Sequence, residues 1–86
     1  MDQIKNVINN NGLLDDGLIL QAFDQVAANG DIVIFKNDGL RANNKITVVI
    51  TSPIEKFIAI RYDDVTLSVA LAKALKEYFE FFAKQA

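Results

Sequence analysis

The sequence predicts a two-layer α+β domain in the order α-α-β-β-β-α, a three-stranded antiparallel meander with the helices packed on one face. Two helical repeats of apolar residues, at 18–27 and 65–83, bracket the middle of the chain. Between them lie three β-branched runs, DIVIFK, KITVVIT and KFIAIRY, of which the second alternates most clearly. The connections between these runs are short, so neighbouring strands must run antiparallel.

Each element has its own local reason. Asp2 caps a short first helix with Ile4, Val7 and Ile8 on one face, and the Asn9-Asn10-Asn11-Gly12 stretch ends it. Asp15 or Asp16 caps a second helix whose face is Leu18, Ile19, Ala22, Phe23, Val26 and Ala27. Asn29-Gly30 stops that helix, because both residues tolerate a left-handed backbone. The first strand is expected over Asp31–Lys36, followed by a polar loop with Asp38-Gly39 as its turn. The second strand, Lys45–Thr51, sends Ile46, Val48 and Ile50 to one face and Thr47, Val49 and Thr51 to the other. Ser52-Pro53 breaks it. The third strand is expected over Lys56–Tyr62, with Ile58, Ile60 and Tyr62 on one face and Phe57, Ala59 and Arg61 on the other. Asp63 or Asp64, with Thr66 as rival, caps the last helix.

At 86 residues the chain reads as a single domain, 1–86, with 51% hydrophobic residues to offset its small size. It has no Cys and no His. That excludes disulfides, thiolate metal sites, Cys nucleophiles and imidazole general bases. The net charge is −2 and the pI about 4.8, which counts against a nucleic-acid partner. The N-terminus shows no basic-then-apolar leader and no run long enough to span a bilayer, so a cytoplasmic protein without membrane contact is expected.

No arrangement of residues asks for catalysis, a metal or a cofactor. The glycines Gly12, Gly17, Gly30 and Gly39 are dispersed, and neither Ser52 nor Ser68 sits in a glycine-flanked turn. Asp63-Asp64 matches no calcium loop. The element order from about Asp16 to Phe82 resembles that of the double-stranded RNA-binding domain. That family grips phosphates with a basic cluster at the start of its last helix. Here those positions are Asp63, Asp64, Thr66 and Ser68, and the first lysine is Lys73, so the resemblance is one of order and implies no RNA contact.

The last helix carries four of the eight aromatic residues, Tyr78, Phe79, Phe81 and Phe82. At 100° per residue its apolar arc approaches roughly 200°, against a usual stripe of a little over ~100°. Leu67, Leu71, Leu75, Tyr78 and Phe82 form the core stripe, with Phe79 and Phe81 on opposite shoulders. The far sheet face is also mixed, adding either Ile32 with Ile34 or Val33 with Phe35. The expected function is therefore a non-enzymatic interaction domain: a dimerising adaptor, inhibitor or neutralising partner of another protein, or of itself. Tyr78, Phe79, Phe81 and Phe82 are its candidate anchors. The alternative is an anionic-ligand or nucleic-acid module built on the 36–45 loop with Lys36, Arg41, Lys45 and Arg61. Leu40 is an apolar residue in that loop, either tucked onto the sheet or offered to a partner.

Overall fold

The computed structural model describes residues 16–85. The expected first helix and its Asn-Gly stop lie outside that range. Two helices and one sheet follow in the order α1 (Asp16–Ala28), β1 (Ile32–Asn37), β2 (Ile46–Thr51), β3 (Ile60–Asp64) and α2 (Leu67–Gln85). The sheet is antiparallel throughout, in the order β1-β2-β3. Both helices pack on one face of it, α2 over β2 and β3, α1 over β1. The architecture is α+β, as the pattern of periods requires.

Register decides which side chains share a face. Val33 stands opposite Ile50, Phe35 opposite Val48 and Asn37 opposite Ile46. Across the other ladder Ile60 faces Ile50, and Tyr62 faces Val48. Directly paired residues point the same way, so this set is the helix-side face. Ile46, Val48, Ile50 and Ile60 are buried there against Ile19, Ala22 and Val26 of α1 and Ala70, Leu71, Ala74, Leu75 and Tyr78 of α2. The outer face carries Ile32, Ile34 and Lys36, then Thr47, Val49 and Thr51, then Arg61 and Asp63. The sequence left open which pair of β1 faces outward; the pair is Ile32 with Ile34.

The end of α1 is a Schellman turn. Gly30, at φ 82°, donates its N–H to the Ala27 carbonyl at 2.9 Å, and Asp31 donates to the Val26 carbonyl at 3.2 Å. This turn aims the Asp31 side chain inward, where none of it is exposed.

Two local expectations are corrected. The third strand begins at Ile60, not Lys56, and extends through Asp64. Residues 52–59 instead form a folded loop. Glu55 donates its N–H to the Ser52 carbonyl at 3.0 Å and itself sits at φ 54°, while the Ser52 hydroxyl accepts the Lys56 N–H at 3.1 Å. The loop turns Phe57 to the helix side, away from the outer face expected of it, and Ile58 into solvent. The cap of α2 is Thr66, whose hydroxyl accepts the Val69 N–H at 3.2 Å. Asp64 stays in the strand and binds Lys73 on α2 at 2.7 Å. Asp63 points to the outer face.

Candidate interaction surface

The aromatic residues of α2 face the protein's own interior. Tyr78 is fully buried, and Phe79 and Phe82 pack against the core. Phe57 supplies the missing neighbour. Its ring meets Tyr78 edge-on at 5.7 Å and Phe81 at 5.2 Å, and Phe82 meets Tyr78 at 4.9 Å and Phe81 at 5.2 Å. Each such pair adds about 0.5–1.5 kcal/mol beyond its buried area. The wide apolar arc of α2 is thus largely used by the loop before β3.

A buried polar node fastens that loop. The Lys56 ammonium lies 3.0 Å from Asp31 Oδ1 and 3.1 Å from Oδ2. The Tyr78 hydroxyl donates to Asp31 Oδ2 at 2.6 Å and accepts from Asn29 Nδ2 at 3.0 Å. Burial, and then the carboxylate beside it, push the Tyr78 phenol above its usual range. Lys56 also stands over the Phe82 ring, 5.4 Å from its centroid. One node therefore joins the end of α1, the 52–59 loop and α2. The sequence gives little sign of it. Asp31 and Lys56 each read only as the start of a strand, and only their meeting, 25 residues apart, gives them a role.

A second node sits on the outer face. The Thr47 hydroxyl donates to Asp63 Oδ1, and Arg41 Nη1 reaches the same oxygen at 3.1 Å and Thr47 Oγ1 at 3.3 Å. Arg61 adds a contact at 3.5 Å. These bonds, the Thr47 hydroxyl foremost and then the two guanidiniums, hold the Asp63 carboxyl down to about 2. Arg41 and Asp63 also cover Thr47, which is buried although it lies on the outer face.

The four cations considered for anion binding thus separate. Arg41 and Arg61 converge on Asp63, and Lys36 pairs with Asp38 at 3.4 Å. Lys45 lies apart, beside an open hollow of about 300 Å³ between the 42–45 stretch and Val65. Leu40 does not tuck back: it is 99% exposed, while its N–H is held by Asp38 Oδ1 at 2.9 Å. Among the described residues, no three His, Cys, Asp or Glu are grouped as metal ligands. No helix among them is long and apolar enough to cross a membrane.

Among the described residues, β1 carries three exposed large apolar side chains within four positions. Ile32 and Ile34 are 46% and 51% exposed on the outer face, and Phe35 is 44% exposed on the helix side. Leu20, Leu40, Ile54, Ile58 and Val65 are more exposed still, but they are scattered over helix and loop. Single exposed apolar residues are ordinary; three within four positions of one edge strand are not. Comparison with known protein families, with curated proteins and with solved structures gives no match.

Proposed function

We propose that the chain is a non-enzymatic, cytoplasmic protein-interaction domain that makes its contact along β1. A single observation supports this reading: one edge strand leaves apolar side chains open on both of its faces. A partner covering only the outer sheet face would bury Ile32 and Ile34 and leave Phe35 open. A partner laid along the edge covers all three. The adjoining outer face, with Val49 in its middle and the Asp63 node at its margin, gives such a contact an apolar centre and a polar rim. Tyr78, Phe79, Phe81 and Phe82 then serve the contact indirectly, by holding the sheet flat against α2.

The test is a set of backbone NMR spectra of the labelled protein, in a concentration series and in concentrated extract of its native cell. Broadening confined to β1 and the outer face, abolished by Ile34→Asp and retained by Phe79→Asp, is the expected result. Broadening centred on the Phe79–Phe82 stretch with β1 unaffected would overturn the reading, as would spectra that change in neither setting.

A further inference from the structure

The edge of β1 is a row of backbone groups as well as an apolar strip, and the register says which groups they are. One step beyond the last ladder pair, Asn37 with Ile46, the Asp38 N–H donates to the Lys45 carbonyl at 2.8 Å. In an antiparallel strand the N–H and C=O of one residue point the same way, and that direction alternates along the chain. Asp38, Lys36, Ile34 and Ile32 therefore turn their backbone toward β2. Val33, Phe35 and Asn37 turn theirs outward, where no described residue bonds them. The opposite edge differs. Arg61 and Asp63 point outward along β3, and their charges blunt that edge.

We infer that β1 pairs antiparallel with β1 of a second copy, about a two-fold axis beside Ile34; this rests on the reading of β1 as the contact strand. Centred there, Val33 of each copy exchanges both backbone bonds with Phe35 of the other. Ile34 meets Ile34 across the axis, and Ile32 lies opposite Lys36. Helix-side residues meet helix-side residues, and outer meet outer, so the two sheets join into one of twice the width. Two observations favour a copy of this chain over a foreign strand. The first is charge. Lys36 is the one charged side chain of β1 and lies near its end. Antiparallel self-pairing sends the two ammoniums to opposite ends of the contact, each with its stem along an isoleucine. The second is fit. The exposure of Phe35 shows that α1 leaves the helix side of this edge open, and the Phe35 of each copy closes over Val33 of the other. One strand pair buries less than the roughly 1,200–2,000 Å² of a standard interface, so the dimer separates on dilution.

The absence of cysteine makes the test clean. Ile34 and its counterpart form a non-hydrogen-bonded pair, with Cα atoms about 4.5 Å apart, inside the roughly 4.4–6.8 Å that a disulfide spans. Ile34→Cys is expected to oxidise to a covalent dimer on the order of tenfold faster than Leu40→Cys, a more exposed thiol outside the pairing, because association raises the local thiol concentration. Ile32→Cys and Lys36→Cys are each expected to be slow alone and fast when mixed. Lys36→Cys fast on its own would overturn the pairing centred on Ile34, and Ile34→Cys no faster than Leu40→Cys would overturn self-pairing altogether. If that happens while native extract still broadens β1, the interaction reading stands with a foreign strand as partner. If extract leaves β1 unchanged as well, both fall.

Discussion

The two ends of the sheet's width treat similar residues in opposite ways. On the β3 side, loop 52–59 folds over α2, so that Phe57, Tyr78, Phe81 and Phe82 interlock, and Lys56 reaches back to Asp31 at the foot of β1. On the β1 side, Ile32, Ile34 and Phe35 are as apolar, and no described element lies along their edge. Composition does not separate these regions; the path of one loop does. Apolar excess marks a contact only after the chain's own connections have taken their share. Here they take the rings of α2 and leave the strand.

The comparison breaks most readily at the closed side. Lys56→Met leaves the Asp31 carboxylate, with none of its side chain exposed, without its cation. Breaking a buried pair from one side costs about 3–5 kcal/mol, a large part of the roughly 5–15 kcal/mol that hold a domain. Adding Asp31→Asn to that variant removes the stranded charge and is expected to recover much of the loss, since coupled sites are not additive. Urea unfolding measures both. A loss below about 1 kcal/mol for Lys56→Met would mean that ring packing alone closes this side.

That node also marks where the sequence stops being legible. Helical spacing finds the buried face of α2, because Leu71, Leu75 and Tyr78 follow from a period of 3.6 without any knowledge of neighbours. Alternation finds Ile46, Val48 and Ile50 on the same ground. The third strand starts at Ile60 and not at Lys56 because the residues before it are captured from a distance: Lys56 by Asp31, Phe57 by Tyr78 and Phe81. Those partners are 20 or more residues away in the chain, and no local propensity encodes them. The helix rings are the legible excess, and the sequence offers the open strand only as one of two options for the outer face.

A smaller effect sharpens the contrast. Phe81 is half-buried between Phe57 and Phe82, whereas Ile34 is half-exposed on the outer face. Full truncation of a buried ring costs about 3–5 kcal/mol, so Phe81→Ala is expected to cost about 1–2 kcal/mol while leaving the sedimenting mass at each concentration unchanged. Ile34→Thr keeps the β-branch and is expected to stay within about 0.5 kcal/mol of the parent, while lowering the mass at high concentration. The reverse pattern, with Phe81→Ala neutral in stability and lower in mass, would return the contact to the helix.

The smallest effect lies at the margin of the open face, in the Asp63 node. A carboxyl held at about 2 when folded, by Thr47, Arg41 and Arg61, returns to about 3.9 when unfolded. The unfolded chain therefore binds the proton first as pH falls, and stability from this group is full above about 4 and lost on approach to about 2. Asp63→Asn cannot titrate, so the stability gap between parent and variant is expected to narrow across that window and to stay constant above it. Thermal unfolding at closely spaced pH values reads the gap. Asp64 and Asp38 are also held low, by Lys73 and by the Leu40 N–H respectively, and they titrate in both proteins, so the difference isolates Asp63. A gap that is flat from neutral pH to pH 2 would mean that Thr47 and the two arginines do not grip the carboxylate. The outer face would then lose its fixed rim, and Arg41 and Arg61 would be released to whatever lies along β1.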